Sequence, residues 1–167
     1  SAEGMRVLEL CAGAGKLAAA ILARAPVAHY VGIDVNEASL AYADRELKAH
    51  TPATSWLAAD LNGDEWLAQV EKPLDVVVSM QSLHDLGGLY EVARIYGIAR
   101  SLLAGEGIFI NADLLATETT DPVANPGRFT VDRHVEMLRR AGFASVRCTL
   151  RIRDFACFEA RVYPSPR

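Results

Sequence analysis

Few cysteines, no long apolar run and no excess of basic residues mark this 167-residue chain, and each shortage excludes a class of protein. Cys11, Cys148 and Cys157 are odd in number and lack Cys-x-x-Cys spacing, so neither a disulfide framework nor a metal site is expected, and a reducing, cytoplasmic setting fits. No stretch reaches the ~18 uninterrupted apolar residues of a membrane span, and the N-terminus lacks a basic-then-apolar secretion signal. The expected protein is soluble, with no membrane partner. A formal charge of −4 supplies no broad cationic footprint for a phosphate backbone, so general nucleic-acid binding is not expected.

With 51% hydrophobic and 23% charged residues, the chain is sized and composed for one compact domain, residues 1–167. Ser1-Ala2-Glu3-Gly4 runs almost at once into the first strand candidate and leaves no room for a leading helix. That start reads as a boundary, with an N-terminal cap segment upstream left open, and the oligomeric state is not specified.

Short aliphatic runs alternate with longer helical patterns, the signature of βαβ units stacking into a parallel sheet. Strands are predicted at Met5–Leu10, His29–Asp34, Ser55–Ala59, Leu74–Met80 and Gly107–Asp113. Helices are predicted at Lys16–Arg24, Glu37–Ala49, Glu65–Val70 and Leu89–Leu103. In the second helix Leu40, Ala43 and Leu47 recur at three and four residues and form an apolar stripe. Pro26, Pro52, Pro73 and Gly105 fall between elements. Thr117 to Arg128 reads as a long polar loop over the carboxyl edge of the sheet, where loops often contact substrate. A helix over Val131–Ala141 then leads to alternating runs at Ser145–Arg153 and Phe155–Tyr163. Only an antiparallel hairpin can join two runs so close together.

In an open α/β sheet, ligands sit beyond the carboxyl ends of the strands where the strand order reverses. Acids stand at three such ends: Glu9 before the small-residue turn Cys11-Ala12-Gly13-Ala14-Gly15, Asp34 closing the second strand, and Asp60 after the third. A backbone without Cβ atoms lets a ligand approach closely, and carboxylates accept hydrogen bonds from a ribose diol or an ammonium group. The pattern points to a nucleoside-bearing cofactor. Taken singly, Asp34 and Asp60 also suit the role of helix cap.

Together these segments resemble the class I S-adenosylmethionine-dependent methyltransferases over nearly the whole chain. Glu9-Leu10-Cys11-Ala12-Gly13-Ala14-Gly15 is similar to the family's acidic-x-Gly-x-Gly-x-Gly segment, with Cys11 where its first glycine stands. Gly32-Ile33-Asp34-Val35-Asn36 resembles the second motif, and Ala58-Ala59-Asp60-Leu61 the third. Leu74-Asp75-Val76-Val77-Val78-Ser79 resembles the fourth strand, Leu102-Leu103-Ala104-Gly105-Glu106-Gly107 the turn into the fifth, and Leu138-Arg139-Arg140-Ala141-Gly142-Phe143 the approach to the closing hairpin.

The resemblance implies a doubly wound three-layer α/β sandwich with a seven-stranded, mostly parallel, Rossmann-like sheet whose last strand is antiparallel. It also implies S-adenosylmethionine as cofactor and a small-molecule methyl acceptor. Cys11, Gly13 and Gly15 would underlie the methionine part and ribose, with Glu9 orienting the loop or meeting the amino group. Asp34 would bind the ribose hydroxyls beside Val35, Asp60 would face the adenine beside Leu61, and Gln81 would neighbour the cofactor. A cysteine in place of the first glycine narrows the loop and fits it at a negative φ. Nothing nearby in sequence lowers its pKa, so Cys11 reads as a packed lining residue and not a nucleophile.

Two alternatives stand beside this reading. One is a non-catalytic cofactor-binding module or subunit of a larger assembly. The other is an NAD(P)-dependent oxidoreductase, because Gly13-Ala14-Gly15-Lys16-Leu17-Ala18 matches the dinucleotide fingerprint. Glu9 beside a pyrophosphate, Asp60, and the closing hairpin all oppose the oxidoreductase.

Methyl transfer is an in-line displacement, so an oxygen acceptor needs a base near the edge of the fourth strand. His84 stands there, and an imidazole ordinarily titrates near ~6.5, suited to proton removal at neutral pH. Leu83-His84-Asp85 also resembles the Leu-His-Asp/Asn-Trp segment of small-molecule O-methyltransferases, whose histidine is the general base. Leu86 replaces the tryptophan, Gly87-Gly88 replaces the usual acids, and a structural role for this histidine remains the alternative. Asp85 reads as a first-turn helix acid. His29, His50 and His134 are assigned no chemistry. Ser79-Met80-Gln81-Ser82 is not the Asn/Asp-Pro-Pro-aromatic tetrad of amino-directed enzymes, which leaves oxygen, nitrogen and carbon acceptors open.

Overall fold

The computed structural model describes residues 4–48 and 54–163. Seven strands, β1 (Met5–Leu10), β2 (Val27–Asp34), β3 (Thr54–Ala58), β4 (Leu74–Met80), β5 (Leu103–Leu114), β6 (Ser145–Ile152) and β7 (Phe155–Arg161), form one sheet in the order β3-β2-β1-β4-β5-β7-β6. All pairings are parallel except those of β7, which runs antiparallel to both β5 and β6. Four α-helices join them: α1 (Lys16–Leu22), α2 (Glu37–Leu47), α3 (Leu89–Leu102) and α4 (Val131–Arg140).

The helices cover both faces of the sheet. Ala18 of α1 and Leu47 of α2 pack with Val7, Tyr30 and Val78 on one face. On the other, Ile95, Tyr96 and Ala99 of α3 and Met137 and Leu138 of α4 pack with Leu8, Leu10, Val77, Phe109 and Phe158. Helices on both faces bury the central strands twice over, which is why β1 and β4 read as near-continuous apolar runs. The predicted stripe of α2 is buried at Leu40, Ala43 and Leu47, and its first turn is capped by Asn36, whose side chain accepts from the Ser39 N–H at 3.0 Å.

Several boundaries differ from the sequence reading. Helix α1 stops at Leu22, β2 starts at Val27, and β6 and β7 end at Ile152 and Arg161. The predicted helix Glu65–Val70 is a short 3-10 turn, Glu65–Gln69, pinned by buried Trp66, whose indole donates to the Gly63 carbonyl at 3.1 Å. The strand predicted at Gly107–Asp113 begins at Leu103, because Leu103 already pairs with Leu74 before the register shifts. That pairing ends α3 at Leu102 and overrides the turn suggested by Gly105. Ala49, His50 and Pro52 lie outside the described residues.

Along β5, Phe109, Asn111 and Asp113 turn to the face covered by α3 and α4 and are all buried. Asn111 donates to the Tyr96 hydroxyl at 3.0 Å, and that hydroxyl lies 2.7 Å from His134 Nδ1. His134 sits against Phe158, with ring centres 4.8 Å apart, and burial depresses its imidazole to about 4. On the unfolded chain the same group takes up a proton below ~6.5. Its contribution to stability is therefore intact above that pH and is lost as pH falls toward 4. Buried Glu9 acts oppositely, since burial pushes its carboxyl up to about 7 and the folded chain holds that proton longer than the unfolded one. Comparing His134→Gln with the wild type isolates the histidine. In urea unfolding between neutral pH and about 4, the wild type should lose on the order of 3 kcal/mol more than the variant. Equal slopes in the two proteins would remove the assignment.

Candidate functional site

The strand order reverses between β1 and β4, so the loops leaving these two strands part in opposite directions and open a cleft at the carboxyl edge of the sheet. The cleft measures ≈ 390 Å³, within the roughly 300–1,000 Å³ of small-molecule sites. Cys11 from the loop after β1, Asp34 and Val35 after β2, Asp60 and Leu61 after β3, and Asp85 and Leu86 after β4 line it.

Asp34 fastens the first two loops together. One carboxylate oxygen accepts the Gly13 N–H and the other the Asn36 N–H, each at 2.8 Å. The cap of α2 is thus Asn36, and Asp34 does not take that role. Asp60 accepts the Asn62 N–H at 2.8 Å through a single oxygen. It does not cap the turn at Glu65. Asn62 in turn donates to the Leu86 carbonyl at 3.1 Å, linking the loops after β3 and β4.

The other predicted cofactor residues lie beside the cleft and do not line it. Glu9 is buried and accepts the Tyr30 hydroxyl at 2.6 Å. Gly13 and Gly15 carry φ values of 52° and 75°. A Cβ on Gly15 would approach Ala43 Cβ to 2.9 Å, whereas one on Gly13 would meet nothing within 4 Å. Gly15 is thus required by packing, and Gly13 faces open space. Gln81, at φ 56°, donates its N–H to the Ala112 carbonyl at 2.7 Å and holds β4 to β5.

Cys11 corrects the sequence reading. Its φ is +57°, in the left-handed region that favours glycine, and not negative. The conformation is held by the two residues that follow, Ala12 N–H donating to the Ile33 carbonyl and Gly13 N–H to Asp34, each at 2.8 Å. Burial first, then the charge of Asp34, pushes the thiol up to about 12.

His84 occupies a 3-10 turn, Leu83–Asp85, beneath the cleft wall formed by Ser82, Asp85 and Leu86. Its Nδ1 lies 2.6 Å from Asp113 Oδ1, and its backbone N–H donates to Asp113 Oδ2 at 3.1 Å. A carboxylate at that distance keeps a proton on Nδ1, so that Nε2, turned toward Asp85, is the nitrogen that can exchange one. Nε2 stands 3.3 Å from Asp85 Oδ1, and the Asp85 side chain is 78% exposed. Asp113 is 1% exposed; burial raises its pKa, with His84 as the main opposing influence. Sequence reasoning missed Asp113, although it closes the predicted fifth strand as Asp34 closes the second. It also read Asp85 only as a helix acid, when Asp85 lines the cleft.

Known proteins bear on this geometry. The family profile described as "Methyltransferase domain" matches residues 7–107. No curated protein matches the chain. Among solved structures, the CurJ carbon methyltransferase superposes with a TM-score of 0.79 at 17% identity, over 98% of this chain and 50% of its own. An O-methyltransferase family protein from Burkholderia thailandensis gives 0.77 at 18% identity, over 96% and 51%. The cyclopropane synthase MmaA2 from Mycobacterium tuberculosis gives 0.68 at 19%, over 87% and 57%. The chain spans about half the length of these structures.

The thiol environments differ enough to test. Near neutral pH, iodoacetamide should alkylate exposed Cys148 well before Cys11, because the thiolate is the nucleophile. Mass spectrometry showing equal rates would contradict the protonated, enclosed state of Cys11.

Proposed function

Because the chain belongs to the family of methyltransferase domains, we propose that it transfers a methyl group from S-adenosylmethionine to a small-molecule acceptor. The observation that carries this reading is the cleft between the β1 and β4 loops, lined by Asp34 and Asp60. Each Asp34 oxygen is engaged by one backbone N–H and keeps acceptor capacity for a ribose diol. Asp60 keeps one oxygen clear of its local turn to meet the adenine amino group. Val35, 73% exposed, and buried Leu61 supply apolar surface for the base, and the open side of Gly13 admits the methionine part. Glu9 acts from beneath, where its buried carboxyl accepts the Tyr30 hydroxyl and ties β1 to β2 below the loop, and Gln81 sets the β4 loop against β5. The donor set therefore fits the group. A pyrophosphate among these carboxylates would be repelled, and family membership leaves the oxidoreductase alternative without support.

When bound, S-adenosylmethionine supplies an electrophilic methyl group on a sulfonium. His84 is the general base. Asp113 holds the ring in the tautomer whose Nε2 can take a proton, and its charge stabilises the imidazolium that forms. Rotation of exposed Asp85 uncovers Nε2 for the acceptor. Neighbours named for carbon and for oxygen methylation both fit an acceptor whose proton must leave.

Asp34→Asn should weaken S-adenosylmethionine binding by ~1–3 kcal/mol in calorimetric titration, through loss of charge-assisted hydrogen bonds. Unchanged affinity would count against the ribose assignment. His84→Ala should lower kcat by about 10²- to 10⁴-fold while leaving cofactor affinity intact. Asp113→Asn should lower kcat and alter the pH profile, because the ring then loses its orienting charge. Cofactor binding without methylated product from any acceptor, in a screen with labelled methyl donor, would favour the binding-module alternative.

A further inference from the structure

Thr117 to Arg128 ends against the segment that carries His84. A Cβ built on Gly127 would lie 2.2 Å from the His84 carbonyl oxygen and 2.6 Å from that of Gly87, so the loop backbone presses directly on the turn holding the base. One residue beyond Arg128, Phe129 bridges to Leu115, and its carbonyl accepts the Ala116 N–H at 3.0 Å, just past the end of the strand that carries Asp113. The backbone of Arg128 is thereby fixed between the two halves of the His84–Asp113 pair.

The guanidinium of Arg128 is uncommitted. Its Nε is shielded from solvent and has no hydrogen-bond partner, and among the described residues no carboxylate or carbonyl engages the rest of the group. Other arginines near the site are occupied: Arg94 donates to the Leu61 and Gly63 carbonyls and pairs with Asp64, and Arg133 pairs with Glu136 at 2.5 Å. A desolvated donor without an acceptor is costly, and a shift of this half-buried side chain onto an acceptor of a ligand would relieve that cost. The cleft itself is acidic, with Asp34, Asp60 and Asp85 in its wall and no basic side chain. An anionic acceptor would be repelled by that wall unless a cation outside it balanced the charge, and Arg128, next to the Gly127 that presses on the His84 turn, is unpaired.

We propose that Arg128 determines acceptor specificity by holding a carboxylate of the methyl acceptor beside the His84–Asp113 pair, so that the acceptor is a small carboxylic acid bearing an ionisable hydroxyl or an acidic carbon. The proposal rests on the methyl-transfer reading of the site and deepens it. An Arg–carboxylate fork also fixes direction, presenting the proton-bearing atom to Nε2 in one orientation.

The test uses matched probes that differ in charge: 4-hydroxybenzoate against methyl 4-hydroxybenzoate, and acetoacetate against methyl acetoacetate. Their binding is followed by ligand-observed NMR with S-adenosylhomocysteine present, in the wild type, Arg128→Gln and Arg128→Lys. The wild type should bind at least one acid roughly tenfold to a hundredfold more tightly than its ester. Arg128→Gln should abolish that preference, Arg128→Lys should keep part of it, and affinity for S-adenosylhomocysteine should be the same in all three. Thermal unfolding with S-adenosylhomocysteine checks that each variant is folded, and the acid-over-ester ratio is a readout that a merely structural arginine would not move. Equal binding of acids and esters, binding of neither, or a preference that survives Arg128→Gln overturns the proposal. Failure of the wild type to bind S-adenosylhomocysteine would instead strike the methyl-transfer reading itself.

Discussion

One carboxylate, that of Asp34, carries more of the site than any other group. Its two oxygens take backbone N–H groups from two loops, Gly13 after β1 and Asn36 before α2. Without it, a left-handed Cys11 and a left-handed Gly13 would stand next to a strand end with little to hold them there, and strained backbone persists only where its surroundings over-determine it. The loop's shape and the charge presented to the cleft thus come from the same atoms. A group already half used by the fold is also pre-oriented for a ligand, which lowers the entropy lost on binding.

The reaction side depends on a different long-range contact. Asp113 is buried, which is costly for a carboxylate unless every oxygen is engaged, and the His84 ring, the His84 N–H and the Leu114 N–H together engage both. Removing the histidine would leave an uncompensated charge beside β5. Fold and proposed chemistry share this pair, and its loss is expected to be felt in both.

Much of the architecture was legible in the sequence. The β1 and β4 strands match their predicted spans, because both are doubly buried apolar runs with acids or small residues at their ends. Four of the residues chosen for the cofactor besides Asp34 line the cleft: Cys11, Val35, Asp60 and Leu61. What could not be read was anything set by distant partners. Leu103 became strand because Leu74 was waiting for it, against the local turn signal of Gly105. Cys11 took a glycine's conformation because Ile33 and Asp34 hold the neighbouring amides. The union of His84 with Asp113 spans 29 residues and leaves no trace in local periodicity. Glu9 was legible as a charged residue at a strand end, but its capture by Tyr30 was not.

Alternation along β5 sets a limit on how this chain can change over time. Phe109, Asn111 and Asp113 share one side of the sheet, while Ile110 and Ala112 take the other. Gain or loss of a single codon inside this strand would reverse the parity of every position after it, turning the acid away from the imidazole even if the sheet still assembled. The same event in the stretch between Thr117 and Asn125 would leave that parity untouched. Length variation is therefore tolerable in the loop at the carboxyl edge and forbidden in the strand that aims Asp113, so lineages descending from this chain can reshape the rim of the cleft without unmaking the contact between Asp113 and His84.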